Sequence, residues 1–301
     1  MDSHKAREGL TEDNARRAML AACNSAGLPQ FPDADLLRLG ENALFALPEV
    51  GVVVRVARST EMADKVAKEL AVARWLAGHR FPSVHPTGAP QPIEADGRLV
   101  TFWEYVPDSS PPASFTVLAA LLRDLHALPD PGFPLPVLDP FPIMRRRLEV
   151  VSGIRREDVR FLAEACDNAE DDFRALVASS PRHLVHGDAH RGNVLCDGDG
   201  DRALLIDYEA VAIGPRAWDL VPTAMAVDRF GLPPDDYAEF VRTYGTDVTE
   251  WHGYPVLRTT RELGMTTWLM QNAQSGPAAD EFAVRMESLR KGDLERRWHA
   301  R

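Results

Sequence analysis

The chain is poor in cysteine and contains no long apolar run. Its three cysteines, Cys23, Cys166 and Cys196, lie far apart and form no C-x-x-C pair, so we expect reduced thiols, a cytoplasmic location and no disulfide framework. Residues 1–20 lack the apolar segment of a secretion signal. No apolar run approaches the roughly 20 residues that span a bilayer, so the sequence predicts no membrane partner.

Basic residues are scarce relative to acidic ones, with 34 lysines and arginines against 45 aspartates and glutamates and a net charge of −11. A nucleic-acid partner would need a basic face, so we expect none. The acidic balance suits a cationic small molecule better. The 301 residues suffice for one large or two moderate domains, each with its own core. Both a monomer and a homodimer are compatible with this sequence.

The first third of the chain is predicted to be rich in strands. Capping residues such as Thr11 and Ser59 precede helical patterns, whereas alternating and β-branched stretches indicate strands. The predicted elements are a helix over 12–26, a β-meander over 35–57, a helix capped by Ser59 or Thr60 that runs through Ala77 and is closed by Gly78, and a strand over 98–106.

The remainder is predicted to be mainly helical, because apolar residues recur there at helical spacing. The helical stretches lie within 115–128, 155–178, 217–229, 235–244, 255–273 and 279–298. Short strands are expected at 183–186, 193–196 and 203–207. This order predicts an α+β fold of two lobes, a β-rich lobe over 1–106 and a mainly helical lobe over 107–301, with a ligand cleft between them.

The run H-L-V-H-G-D-A-H-R-G-N-V-L at 183–195 contains histidine, aspartate and asparagine side chains that could take part in catalysis or metal binding. Asp188 lies five residues before Asn193, and Asp207 follows fourteen residues later at the end of an apolar strand. A hairpin turn at 197–202 would bring Asn193 and Asp207 side by side. An asparagine carbonyl and a carboxylate suit Mg²⁺ when phosphates supply its other ligands. Asp188 could then orient and deprotonate a hydroxyl, at the spacing of the protein-kinase pattern H-R-D-x-x-x-x-N.

Three motifs in this order extend the pattern: H-G-D-x-H-x-x-N at 186–193, I-D-x-E at 206–209 and G-P-R-A-W-D-L at 214–220. Together they resemble the aminoglycoside phosphotransferase and choline kinase group of small-molecule kinases. The resemblance covers most of the chain. It implies a bilobal protein-kinase-like fold that uses Mg²⁺ and takes ATP or GTP as the phosphate donor.

The resemblance also implies roles for individual residues of these motifs. Asp188 would be the catalytic base, and Asn193 and Asp207 would hold Mg²⁺. His186 and Asp219 would support the catalytic loop.

On the nucleotide side, the resemblance implies an ion pair between a strand cation and a helix glutamate. Arg55 occupies the strand position, where the family often has lysine, and Glu69 lies on the inward face of the next predicted helix. A strand arginine directed to solvent is the alternative, and Lys65 and Lys68 are expected in solvent. The other predicted nucleotide contacts are backbone groups of Gly40, Asn42, Glu104 and Val106. For Gly40 and Asn42, a plain hairpin turn is equally compatible with the sequence.

The acceptor should lie near Asp188. Acidic residues could meet an amino-bearing acceptor, and aromatic residues mixed with polar ones could line its pocket, although a solvated helix face explains each acidic residue singly. The candidate acceptor contacts are Glu164, Asp167, Trp251, Glu262, Trp268 and Gln271.

The sequence therefore predicts a kinase that phosphorylates a hydroxyl of a small cationic molecule, an aminoglycoside or another basic antibiotic. A metabolic kinase for choline, a sugar or an amino alcohol is an alternative, and a catalytically silent nucleotide-binding protein is another. Zinc bound by His183, His186, Asp188 and His190, as in a metallohydrolase, and a merely buried polar loop also remain open. The D-G-D-G-D-R segment at 197–202 starts like a calcium loop but has Arg202 where that loop needs glycine.

Overall fold

A computed structural model describes residues 9–107, 112–197 and 202–299. They form two compact units that are discontinuous in sequence. The first unit comprises the described parts of 1–113 and 192–209, and the second those of 114–191 and 210–301. Within the described ranges, no helix has the length and apolar character needed to cross a membrane.

The two units differ in secondary structure. The helices are α1 (Glu12–Ser25), α2 (Ala63–Gly78), α3 (Phe115–His126), α4 (Phe141–Val150), α5 (Arg156–Ser179), α6 (Ala217–Phe230), α7 (Pro234–Tyr244), α8 (Tyr254–Met270) and α9 (Gly276–Lys291). The strands are β1 (Asp35–Leu39), β2 (Asn42–Leu47), β3 (Val52–Ala57), β4 (Ile93–Ala95), β5 (Arg98–Glu104), β6 (His183–Val185), β7 (Val194–Asp197), β8 (Arg202–Leu205) and β9 (Ala212–Gly214).

A five-stranded antiparallel sheet, in the order β1-β2-β3-β5-β4, is the centre of the first unit. In β3, Val52, Val54 and Val56 are buried, whereas Val53 and Arg55 are half-buried. This alternation follows from side chains that point to opposite faces of a strand. The three buried valines join α1 in one apolar cluster, so Arg55 lies on the other face of the sheet.

A hairpin completes the first unit. Its strands β7 and β8 pair antiparallel, and β8 is also tied to an earlier part of the chain. The backbone of Leu205 donates to the Pro82 carbonyl oxygen at 3.0 Å and accepts from the Val84 amide at 3.1 Å. The buried Tyr208 hydroxyl donates to the carbonyl oxygens of Val84 and Leu205. These bonds make the hairpin part of the first unit rather than an isolated loop.

Helices make up most of the second unit, in which α5 packs against α8 and α3 against α7. Phe141 of α4 and Trp218 of α6 pack edge-on against Phe173 of α5, at ring-centroid distances of 5.5 and 5.6 Å. The short strands β6 and β9 pair antiparallel. The aromatic cluster anchors Trp218, which contacts the loop that follows β6.

The predicted α+β fold is confirmed, and most predicted elements are present within a few residues. The helix predicted to follow a cap at Ser59 or Thr60 begins only at Ala63, because residues 60–62 form a 3₁₀ turn. The helix predicted over 279–298 ends at Lys291, because Gly292 adopts a φ of +62°. The sequence patterns missed α4, β4 and β9.

Candidate active site

A tight turn after β6 shapes the loop that contains Asp188. Gly187 has a φ of +86°, which glycine adopts far more readily than other residues. A Cβ atom at this position would lie only 2.0 Å from the carbonyl oxygen of Ala210. The loop backbone can therefore pass this close to Ala210 only with glycine at position 187.

The carboxylate of Asp219 holds this loop from inside the second unit. Its side chain is fully buried and accepts hydrogen bonds from the amides of His186, at 2.7 Å, and Gly187, at 2.9 Å. His126 Nε2 donates to the same carboxylate at 3.0 Å, and its Nδ1 lies 2.9 Å from the Tyr244 hydroxyl. Burial acts to raise the pKa of Asp219, but these hydrogen bonds and the neighbouring histidines lower it overall. Asp219 is therefore an ionised internal anchor for the loop.

Asp188 extends from this anchored loop, and its side chain is 53% exposed. Its amide donates to His186 Nδ1 at 3.3 Å. One carboxylate oxygen lies 3.6 Å from His190 Nε2, and the other lies 3.6 Å from a terminal nitrogen of Arg261. Partial burial acts to raise the pKa of Asp188, but His190 and the charge of Arg261 outweigh it and lower the pKa to about 2. Asp188 is thus a fixed carboxylate that is accessible and ionised.

Asn193 and Asp207 lie at the same end of the β7–β8 hairpin. Asn193 is buried, and its backbone carbonyl oxygen accepts a hydrogen bond from the Ile206 amide at 3.0 Å. Asp207 has a φ of +66°, an uncommon conformation for a residue with a side chain, and strained backbone of this kind concentrates at functional sites. The hairpin pairing that we predicted is present, although residues 198–201 of its turn lie outside the described residues.

The chemistry of these two side chains fits Mg²⁺, since an amide oxygen and a carboxylate are hard ligands that leave room for phosphate oxygens. The zinc alternative finds less support. Across 9–107, 112–197 and 202–299, no three His, Cys, Asp or Glu side chains come together as a metal site. The groups proposed for zinc, His183, His186, Asp188 and His190, are included in that search.

The predicted cation of the first unit, Arg55, forms an ion pair with Glu69. The distance from the arginine to the carboxylate is 2.7 Å, and Glu69 is almost completely buried. Burial raises the pKa of Glu69 to about 7, against the opposing charge of Arg55. The structure therefore brings this pair together and does not direct Arg55 into solvent.

A second carboxylate, that of Glu209, lies against the same cation. It contacts Arg55 and Lys65, and accepts from Asn42 Nδ2 at 2.9 Å. Lys68 donates to the Glu209 carbonyl oxygen at 2.6 Å. Burial acts to raise the pKa of Glu209, but Arg55 and Lys65 lower it overall. The expectation that the two lysines are solvated was wrong, because both contact Glu209.

The remaining predicted nucleotide contacts also lie in the first unit. Gly40 is exposed in the β1–β2 turn, where its amide donates to the Asn42 carbonyl oxygen at 3.0 Å. Glu104 ends β5, and its amide donates to the His85 carbonyl oxygen at 2.9 Å. Val106 follows β5 and is half-buried. The amides of Gly40 and Glu104 thus already have partners.

The acidic acceptor candidates have partners of their own. On α5, Glu164 lies 3.8 Å from Arg160, and Asp167 forms an ion pair with Arg145 at 2.6 Å. Glu262 is buried in α8 and is bound by two arginines, Arg229 at 2.8 Å and Arg258 at 3.0 Å. These contacts assign Glu262 to an internal ion network. Arg160–Glu164 and Arg258–Glu262 are i,i+4 pairs that helical spacing could have indicated, whereas Arg145 and Arg229 come from other helices, which no sequence pattern connects.

The other acceptor candidates lie near the ends of α8. Trp251 precedes it and packs so closely over Gly253 that a Cβ there would lie 2.5 Å from the ring. Trp268 is exposed on the last turns of α8, and Gln271 Nε2 donates to its carbonyl oxygen at 3.2 Å. The structure places none of these three against Asp188 by a described contact.

Sequence reasoning missed two residues, each of which the structure places beside a predicted site residue of its own unit. Glu209 lies within the I-D-x-E motif, so the motif offered a signal for it. Arg261 contacts Asp188 from 73 residues further along the chain, and no local pattern marks it. The contact arises because α8 packs beside the loop that contains Asp188.

Solved structures with the same fold include several small-molecule kinases. A choline/ethanolamine kinase family protein from Mesorhizobium loti has a TM-score of 0.59 and 18% identity, covering 94% of this chain and 93% of that chain. Aminoglycoside phosphotransferase APH(3'')-Id from Streptomyces rimosus has a TM-score of 0.60 and 16% identity, with coverage of 85% and 99%. Choline kinase LicA from Streptococcus pneumoniae has a TM-score of 0.59 and 18% identity, with coverage of 86% and 92%, and has also been solved with AMP.

At these identities the structural matches show the fold alone. A sequence search of curated proteins found no significant match. The sequence profile of the APH phosphotransferase enzyme family, however, matches residues 41–258, which contain all three motifs and the Arg55–Glu69 pair. The match covers more than half of the chain, which therefore belongs to the phosphotransferase enzyme family.

Proposed function

We propose that this protein transfers the γ-phosphoryl group of ATP or GTP to a hydroxyl group of a small cationic molecule, an aminoglycoside or another basic antibiotic. The observation that carries the proposal is the loop of Asp188. The buried Asp219 holds the backbone of this loop, so the exposed Asp188 carboxylate extends from a fixed position, as an orienting group for an acceptor hydroxyl must.

In this proposal Asp188 accepts a hydrogen bond from the acceptor hydroxyl and turns its oxygen toward the phosphorus. A carboxylate with a pKa of about 2 is a weak base. Phosphoryl transfer through a loose transition state needs little proton removal at its start, so orientation is the larger contribution. As the bond between the hydroxyl oxygen and the γ-phosphorus forms, the bond from that phosphorus to the β–γ bridging oxygen breaks, ADP or GDP leaves, and Asp188 takes the hydroxyl proton.

The donor nucleotide would be held by groups of the first unit. Asn193 and Asp207 would bind Mg²⁺, which when bound neutralises phosphate charge. Arg55, oriented by Glu69, and Asn42 would donate to phosphate oxygens. We also propose Gly40 for the phosphates, where its amide would exchange the Asn42 carbonyl oxygen for a phosphate oxygen. The Glu104 carbonyl oxygen and the backbone of Val106 are proposed for the base.

A specific observation favours a second acceptor class, the amino alcohols. The acidic side chains that could attract a polycation, Glu164 and Asp167, are already neighbours of arginines. An acceptor with a single positive charge needs fewer carboxylates for binding than an aminoglycoside with several positive charges does. Choline and ethanolamine-like compounds therefore belong in the same test.

The test is nucleotide consumption with Mg²⁺, measured across aminoglycosides, other basic antibiotics and amino alcohols. Stimulation by one chemical class supports the proposal and names the acceptor. The absence of stimulation by any class, at concentrations where nucleotide binds, would contradict it and favour a silent nucleotide-binding protein.

The variant Asp188→Asn should lose turnover by about 10³-fold or more while nucleotide affinity stays within a few-fold. Asp124→Asn is the matched control, because Asp124 is 54% exposed and pairs with its neighbour Arg123 on α3. Equal activity of the two variants would contradict the role of Asp188.

A further inference from the structure

Arg261 reaches the catalytic loop from α8, and its environment is unusual for a cation. Its side chain is only 13% exposed, and its guanidinium lies 3.9 Å from the centre of the Trp218 ring. One terminal nitrogen donates to the Gly187 carbonyl oxygen at 2.8 Å. The other lies 3.6 Å from Asp188 Oδ1. Arg261 thus contacts the loop on both sides of the Gly187–Asp188 peptide bond.

Burying this cation is costly. Burial lowers the pKa of Arg261, although the charges of Asp188 and Asp219 oppose it. Its Nε is buried and has no hydrogen-bond partner among the described residues. A buried polar group without a partner costs about 1–3 kcal/mol. An apolar residue at position 261 would pack against the Trp218 ring without these costs, so packing alone does not explain an arginine at this position.

The geometry explains the arginine through Asp188. Trp218 fixes the guanidinium plane, because its ring lies in the Phe141–Phe173 cluster and its Nε1 donates to the same Gly187 carbonyl oxygen at 2.9 Å. The guanidinium is therefore held rigidly beside one carboxylate oxygen. The other oxygen of Asp188 lies next to His190, on the loop itself.

We propose that Arg261 is a positioning residue for phosphoryl transfer, which fixes the orientation of the Asp188 carboxylate toward the acceptor hydroxyl. This inference rests on the proposed function of Asp188. Arg261 lies on the Oδ1 side of the carboxylate and His190 on the Oδ2 side, so the two side chains together limit its rotation. A displacement of about 1 Å in such a group costs roughly 100-fold in rate.

The experiment compares Arg261→Met and Arg261→Lys with the wild type. Arg261→Met should lower kcat about 10- to 100-fold and leave the KM for nucleotide nearly unchanged. Arg261→Lys keeps the charge and should retain more activity than Arg261→Met. Arg258→Met is the matched control, since Arg258 lies one turn away on α8, is 10% exposed, and binds Glu262 and Asp228 instead of the loop. Arg258→Met should lower the melting temperature, but its kcat, measured at temperatures below unfolding, should equal that of the wild type.

A double-mutant cycle tests whether Arg261 acts through Asp188. Arg261→Met should lower kcat in the wild type but cause little further loss when combined with Asp188→Asn. Equal losses in both backgrounds, or a kcat loss in Arg258→Met of the same size, would overturn the inference.

The same four proteins also give the coupling between the two side chains in the free energy of unfolding, which needs no acceptor. If the two side chains are coupled in the free energy of unfolding but the wild type shows no turnover, the contact is established and the proposed function is refuted. Zero coupling would overturn the inference whether or not an acceptor is found.

Discussion

Replacing Asp219 by asparagine should destabilise the second unit far more than the loss of one charge at the surface. Asparagine has nearly the shape of aspartate but one acceptor oxygen instead of two. At present one carboxylate oxygen of Asp219 accepts from His186 and His126, and the other accepts from Gly187. In Asp219→Asn the amide group must face at least one of these donors.

The magnitude follows from full burial. Leaving one buried donor unsatisfied costs about 1–3 kcal/mol, and the other two bonds lose the contribution of a charged acceptor. Together these losses come to about 3–5 kcal/mol in the free energy of unfolding. Against a typical total of about 5–15 kcal/mol, this is a large fraction of the stability.

Urea unfolding followed by tryptophan fluorescence measures this loss, since Trp218 lies in the same unit. Asp124→Asn is again the control, with an expected change within about 0.5 kcal/mol. A loss in Asp219→Asn no larger than that of the control would refute the anchoring role.

The pH dependence of the same comparison adds a second check. The folded state lowers the pKa of Asp219, so its contribution is fully present above the unfolded value of about 4. The contribution is lost as the pH falls through the folded value. The stability difference between wild type and Asp219→Asn should therefore narrow below about pH 4, and a difference that widens on acidification would contradict the assignment.

Three further substitutions test other contacts. Gly187→Ala should cost about 2–4 kcal/mol in urea unfolding, because its Cβ would lie 2.0 Å from the Ala210 carbonyl oxygen, and a neutral result would contradict the geometry. Burial raises the folded pKa of Glu69 to about 7 from an ordinary 4.5, so the wild type should lose stability relative to Glu69→Gln as the pH rises from about 5 to 8. A stability difference that does not change with pH would contradict this. Glu209→Gln should tighten ADP binding in EDTA about fivefold in calorimetry, because a carboxylate no longer competes with phosphate for Arg55; unchanged or weaker binding would exclude such competition.

Local sequence signals predicted the elements that depend on local interactions. Thr11 begins α1 as predicted, and the structure adds a reciprocal hydrogen bond between Thr11 and Asn14. The β-meander is also present as predicted, because its alternation and turns lie within one stretch. β4 is also a local element, which the sequence patterns missed although the two-residue turn Asp96-Gly97 joins it to β5 in a hairpin. In contrast, β9 is three residues long and exists only because the earlier strand β6 supplies its partner. Such pairing has no periodic signature in the sequence.

The candidate site shows the same division between local and distant information. The spacing of Asp188, Asn193 and Asp207 is a local property of one motif region, so the sequence contained it. The charge balance around Asp188 depends on Arg261, and that around Arg55 depends on Glu209, which is 154 residues away. These contacts follow from helix packing and chain path, which no single motif encodes.

The return of residues 192–209 to the first unit affects how this unit folds during translation and how its gene segments can recombine. Leu205, which bonds to Pro82 and Val84, is translated only after about two-thirds of the chain. The first unit therefore cannot finish folding as an early, independent domain on the ribosome. A fragment that stops at Ala113 would leave the backbone bonding groups around residue 83 unpaired. Recombination between relatives that swaps this unit must move two separate stretches of gene together.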